Sequence, residues 1–308
     1  MAAEPAPATG HRRARVVRSQ IPMRERIGRI FRARKLLVGM IRKELKVKYK
    51  NSVLGFAWSL LNPLLYLVVF YVAFDLILGS GVPAFPIWLL SGLLVWNLFS
   101  TGLAAATGSV VGNAALVKKV AFPREVLPLA AVGSSLVHFF LQGLVLLAVL
   151  AVVRWNVAWS YIGLVPLALV SLLVLVAGLG ILLSAINVRL RDTQHFLELA
   201  LLAWFWMTPV VYSFELVGSR RTGSGGIPWS TYAFMANPVT PVVVTFQRAL
   251  YGRIVNTSAP AGSGQLLPTW GVGGYLAYLG LTLGVGLVAA VVGLRVFGRS
   301  EADFAEEL

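Results

Sequence analysis

Two stripes of side chains in this 308-residue chain have the types and spacing to do chemistry. Trp58, Asn62, Tyr66, Phe70 and Phe74 recur at four-residue steps, and Trp204, Thr208 and Tyr212 repeat the step further on. Aromatic planes interleaved with amide or hydroxyl groups can stack on sugar rings and exchange hydrogen bonds with them. Each step advances about 40° around a helix, so only three consecutive members share a face. Packing against a neighbouring helix is the competing use of such a stripe. A concentration of charge lies in RKELKVKYK, where Arg42, Lys43, Lys46, Lys48 and Lys50 stand against the single acid Glu44. Ser134, His138 and Gln142 form another polar line, of the kind that bonds across helices inside a bilayer. His195 beside Asp192 offers two metal ligands, too few for a site.

Several chemistries are excluded outright. No GxxxxGK[ST] phosphate loop occurs, and no Gly is followed by Lys anywhere in the chain, so ATP hydrolysis through a Walker site is ruled out. HExxH, GxSxG and intramembrane carboxylate clusters are also missing from the sequence. With no Cys there is no disulfide, thiolate metal site or cysteine nucleophile. A formal charge of +15 raises nucleic acid as a partner, but fifteen of the 27 Lys and Arg precede residue 51. The excess belongs to a tail and a membrane surface instead of a binding groove.

The elements that must position these residues are membrane helices. Hydrophobic residues make up 57% of the chain and charged ones 13%, with a mean hydropathy of +0.78, far from the roughly 25% charge of soluble domains. The expected fold is an all-α integral membrane protein with six transmembrane helices. Span 1 is residues 57–78, about 33 Å as a helix and sufficient for a hydrocarbon core of about 30 Å. Span 2 is roughly 85–110, span 3 about 129–153, span 4 about 161–186, span 5 about 196–216 and span 6 about 272–297. Pro209 removes a backbone donor from span 5 and is expected to kink it. Ahead of the spans, Ile27, Ile30, Phe31, Leu37, Val38, Ile41 and Leu45 fall near helical spacing among Arg and Lys, which predicts an amphipathic helix lying in the interface.

Alternating sides from the N-terminus collect 22 Lys and Arg on one side and five on the other. The positive-inside rule then places both termini in the cytoplasm, in a multi-pass protein of the plasma membrane. The expected organisation is a disordered basic cytoplasmic arm over 1–22, an amphipathic interfacial helix over 23–56, a six-span domain over 57–297 and an acidic cytoplasmic tail over 298–308. No signal peptide is expected, since no apolar stretch with a cleavage site follows the early arginines. Between spans 5 and 6 the chain is too broken by Gly and Pro to cross. Short re-entrant or interfacial helices, interrupted at Asn237, Pro238 and Pro241, are expected there.

The stretch RKELKVKYKNSVLGFAWSLLNPLLYLVVF resembles the opening of type-2 ABC exporter permeases for O-antigen, teichoic acid and related cell-surface glycans. The resemblance continues through KKVAFPREVLPL, NVRLRDTQHF, TPVVY, NPVTPVVVTFQRALYG and the closing FAEEL. It covers nearly the whole chain from about Ile27. Asp75 stands where the pattern carries apolar residues or Gly.

This resemblance implies a homodimeric permease that exports lipid-linked polysaccharide of galactan, teichoic acid or O-antigen type. The chain itself would hold no cofactor, with ATP and Mg on two copies of a separate nucleotide-binding ATPase subunit. That ATPase would dock on residues 113–127, using Leu116, Val117, Val120 and Phe122 as apolar anchors beside Lys118, Lys119 and Arg124. The same three charges could instead simply obey the positive-inside rule. A lipid-linked glycan would present its phosphate to Arg42, Lys43, Lys46, Lys48 and Lys50, with Tyr49 and Trp58 stacking on its first sugars. The pathway would be lined by Trp58, Asn62, Tyr66, Phe70, Trp204, Thr208 and Tyr212. A drug or antibiotic efflux permease is the alternative on the same architecture, and it would call for a more uniformly apolar pathway.

Overall fold

A computed structural model describes residues 22–50, 52, 55–77, 82–212, 234–253, 255–256, 264–301 and 304–308. The described residues are helical almost throughout. Two helices, α1 (Met23–Arg32) and α2 (Arg34–Tyr49), precede a short turn, Gly55–Ala57, and α3 (Trp58–Phe70), which continues as π-helical turns over Tyr71–Ile77. Then follow α4 (Phe85–Gly112), α5 (Ala114–Lys119), α6 (Val126–Val153), α7 (Trp159–Ile162), α8 (Val165–Arg189), α9 (Thr193–Trp206), α10 (Thr240–Leu250) and α11 (Val272–Ser300). A two-residue antiparallel pairing, Val255–Asn256 with Gly264–Gln265, and a last helical turn, Phe304–Glu307, complete the described residues.

Among the described residues, four helices are long and apolar enough to cross a membrane by themselves: α4, α6, the stretch Trp159–Arg189 and α11. The first expected span appears as a shorter apolar stretch, Leu64–Ile77. Helix α4 is central. Within its apolar window 78% of residues are buried, against 22% in α6 and 22% in α11, because α3, α6, α8, α9 and α10 surround it. Helices α8 and α11 approach most closely, through glycines. A Cβ added at Gly178 would lie 2.5 Å from the Ala290 backbone nitrogen, and one at Gly286 would lie 2.8 Å from that of Leu175. Small residues allow this close packing where lipid gives no hydrophobic drive for helices to associate.

Two expectations from the sequence change in form. The amphipathic segment is two helices, broken at Ala33. The fifth expected span does not kink at Pro209. Helix α9 stops at Trp206, three residues earlier, since proline cannot donate to the helix ladder and disfavours helical backbone in the residue before it. Residues 213–216, the rest of that span, lie outside the described residues, as does the arm 1–21.

The segment after α9 is pinned back onto the bundle by Asn237. Its side chain donates to Thr208 Oγ1 at 3.0 Å and to the Met207 carbonyl at 3.3 Å. The Asn237 side-chain Oδ1 accepts from Trp204 Nε1 at 2.8 Å and from the Val239 backbone N–H at 3.1 Å. Pro241 sits in the first turn of α10, where its missing donor costs nothing. At 11 residues α10 is about 16 Å long, too short to cross, and nearly every side chain in it is buried.

The two ends of the bundle differ chemically. At one end α2, the start of α6 and the ends of α4, α8 and α11 gather around a second apolar cluster that includes Met40, Val117, Leu127, Phe297 and Phe304, edged by ion pairs. Arg26 joins Glu125 at 2.5 Å and Glu301 at 3.2 Å, while Arg189 joins Glu307 at 3.3 Å. The acidic tail is therefore folded onto the body, with Phe304 fully buried edge-on against Phe297. The other end is aromatic. Trp155 donates to the Tyr251 carbonyl and Tyr161 to that of Trp270, and Arg248 and Arg253 lie over the rings of Tyr161 and Trp155. Such rings are typical of a membrane–water interface.

Candidate substrate cavity

Helices α3, α4, α6 and α9 enclose a cavity of about 620 Å³, with α2 at its edge. One wall is aromatic. Tyr66 and Phe70 stack at 6.0 Å, Phe70 meets Phe205 at 5.9 Å, and Phe205 meets Trp96 edge-on at 5.3 Å. The rest of the lining includes a polar set: Asn97, Ser100 and Thr101 come from one face of α4, and Ser134, Ser135, His138 and Gln142 from one face of α6.

These polar groups are partly satisfied among themselves. Asn97 Nδ2 donates to Gln142 Oε1 at 3.4 Å, and Ser100 and Thr101 return their hydroxyls to the carbonyls of Trp96 and Asn97. His138 Nδ1 lies 2.7 Å from the Ser134 carbonyl, which can only accept, so Nδ1 carries the proton. In neutral His138, Nε2 is then left to accept the Tyr49 hydroxyl, a bond that ties the end of α2 to the cavity wall.

Three charged side chains, Glu44, Lys48 and Glu198, complete the lining. Burial pushes the Lys48 ammonium below its ordinary range. It also pushes the Glu44 carboxyl up, an effect that the neighbouring Lys43 partly offsets. Both shifts follow from the cost of desolvating a charge. Phosphate oxygens would meet one cation here, and sugar hydroxyls would meet amides, hydroxyls and ring faces. Among the described residues no group of three or more potential metal ligands forms.

Of the pathway residues proposed from sequence, Tyr66 and Phe70 line the cavity, and Trp58, Trp204, Thr208 and Tyr212 do not. Trp58 is exposed, and the Asn62 side chain lies outside the described residues. Trp204 is committed to Asn237 and packs edge-on against Phe99 at 4.9 Å. Thr208 is fully buried beneath Asn237, and the Tyr212 hydroxyl donates to the Trp206 carbonyl. Among the basic residues, Lys48 reaches the cavity lining, whereas Arg42, Lys46 and Lys50 are exposed elsewhere on α2 and its cap. Lys43 donates to Asn113 Oδ1 at 3.0 Å, linking α2 to the segment before α5.

The docking segment divides its side chains between two roles. Val117 is 2% exposed within the chain's own cluster, so it serves the core and is not offered to a partner. Leu116 and Phe122 pack partly against the same cluster. Lys118, Lys119 and Val120 face outward, and Arg124 donates to the Glu301 carbonyl beside Phe304.

Sequence reasoning passed over Asn97, Ser100 and Thr101, whose signal was a polar triple at helical spacing inside an apolar run. It also treated Ser134, His138 and Gln142 as a stripe bonding across helices.

The sequence pattern of the ABC-2 type transporter family matches residues 35–251. The chain is 27% identical over 288 residues to an O-antigen export system permease protein, RfbA, of Klebsiella pneumoniae, covering 94% of this chain and 99% of that one. It is 31% identical over 223 residues to the O-antigen export system permease protein RfbA of Myxococcus xanthus, covering 72% and 82%. A polysialic acid transport protein, KpsM, of Escherichia coli is 22% identical over 211 residues, covering 68% and 78%. The matched region runs from α2 to the end of α10 and contains every element of the cavity: the chain belongs to the ABC-2 type transporter family, as a multi-pass membrane permease.

Proposed function

We propose that this chain is the permease subunit of an ABC transporter that exports a lipid-linked polysaccharide. Relatives matched along nearly their whole length are named as O-antigen export permeases. The observation that carries the reading further is the cavity, whose lining combines stacked rings with amides and hydroxyls. Sugar hydroxyls could use the donor and acceptor capacity that those groups keep beyond their bonds to one another and to the helix carbonyls, whereas an apolar drug could not.

In this reading the chain crosses the membrane six times with both termini in the cytoplasm. The gathering of Arg26, Arg124, Arg189 and the tail at one end, with an aromatic girdle at the other, supports that orientation. Helices α1 and α2 lie in the cytoplasmic interface, and α10 is re-entrant on the outer side. ATP and Mg are bound by two copies of a partner ATPase docked on residues 113–127, and the permease works as a homodimer. The absence of any phosphate loop from the sequence supports a separate ATPase. Lys48 receives the glycan-linked phosphate, and Tyr66 and Phe70 the first sugars.

The test is surface polysaccharide in the native host, with Tyr66→Ala and Phe70→Ala combined and membrane abundance matched. Surface glycan should fall severalfold while lipid-linked polymer accumulates inside. Unchanged surface glycan together with lost tolerance to apolar antibiotics would replace export of glycan by efflux.

A further inference from the structure

We propose that the junction of α1 with the end of α11 is a binding site for the phosphate headgroup of an anionic phospholipid. A second cavity, about 260 Å³, opens there and is lined by Pro22, Met23, Arg26, Leu294, Arg295, Gly298 and Arg299. Gly298 keeps this space open, since a Cβ at that position would lie 2.7 Å from Arg26 Nη2.

The charge balance of the cavity is positive. Arg26 is neutralised by Glu125 and Glu301. Arg295 and Arg299, one turn apart, are exposed and make no ion pair or hydrogen bond with another described residue, and no acid among the described residues lines the cavity. Helix α1 also begins here without a side-chain cap, so the positive end of its dipole adds to the two guanidinium groups. A phosphodiester carries one negative charge and oxygens that match the guanidinium fork.

The approach to the cavity selects a lipid over a free anion. Leu281, Val285, Val288 and Val292 are all exposed and run along one face of α11 at steps of four, three and four residues. The same face continues at three and four residues to Arg295 and Arg299. An apolar track ending in two exposed cations matches an acyl chain ending in a phosphate, at the end of the bundle where the ion pairs place the polar boundary.

The test is native mass spectrometry of the purified full chain, titrated with phosphatidylglycerol and, separately, with phosphatidylcholine of the same acyl chains. One phosphatidylglycerol should be retained preferentially. In R295Q/R299Q its affinity should fall about thirtyfold, the value of two surface charges near an anionic headgroup, and each single variant should fall about fivefold. R154Q, at the opposite end, should leave affinity unchanged. Equal retention of the two lipids, or full affinity in R295Q/R299Q, would overturn the site. Inorganic phosphate competing as well as phosphatidylglycerol would overturn the lipid assignment.

Discussion

Replacing Arg26 by Gln removes the cation from a buried ion pair and leaves its acid behind. Glu125 is 2% exposed, and Arg26 Nη1 at 2.5 Å is its ion-pair partner. Stranding a buried charge costs about 3–5 kcal/mol. At about 2 °C per kcal/mol for a large domain, that lowers the apparent unfolding midpoint by about 6–10 °C. The size of the loss should depend on pH. Burial holds the Glu125 carboxyl above its ordinary range, the nearby Glu301 adds to this, and Arg26 opposes it. An acid raised on folding lowers stability as pH rises from its unfolded value through its folded one, and the deficit is complete above both. Removing Arg26 raises the carboxyl further, so R26Q should be penalised more at pH 8 than at pH 5. Intrinsic tryptophan fluorescence melting suits a chain with nine Trp and no Cys. R26Q/E125Q should recover most of the loss, because it removes the stranded charge together with its partner. A double variant as unstable as R26Q, or a deficit that does not shrink on acidification, would refute a buried pair as the link between α1 and α6.

Two further outcomes follow from the placement of charged and apolar side chains on α2 and after α5. Neutralising Lys48 to Gln should reduce surface glycan and substrate-stimulated ATPase activity severalfold, while Lys46→Gln, on the exposed side, should change them little; equal small losses would leave α2 as a membrane anchor only. Val120→Asp should abolish co-purification of the ATPase without affecting membrane insertion, since Val120 is the outward apolar residue of its segment, and undiminished co-purification would move the docking surface elsewhere.

The sequence by itself determined the solvent of the chain. Long apolar runs with few charges cannot be satisfied by water, and the ends of α4, α6, α8 and α11 fall within a few residues of where hydropathy puts them. That pattern is a local property, readable residue by residue. The motifs of residues 42–65, together with KKVAFPREVLPL and NVRLRDTQHF, were equally local, and they carried the family.

What only the tertiary structure decided is which polar groups face one another. Trp204 and Thr208 have the spacing of a pathway stripe, yet Asn237, from a segment some 30 residues later, consumes their hydrogen bonds. Asn97 and Gln142 sit on separate helices, 45 residues apart, and acquire a common cavity only when α4 and α6 pack. The tail FAEEL reads as a solvated acidic end, but Phe304 fills a gap left by Val117 and Phe297. The physical reason is the same in each case. A helix of this composition is apolar nearly all round, so periodicity cannot tell its packed face from its lipid face or its cavity face. Contacts between residues distant in sequence make that choice.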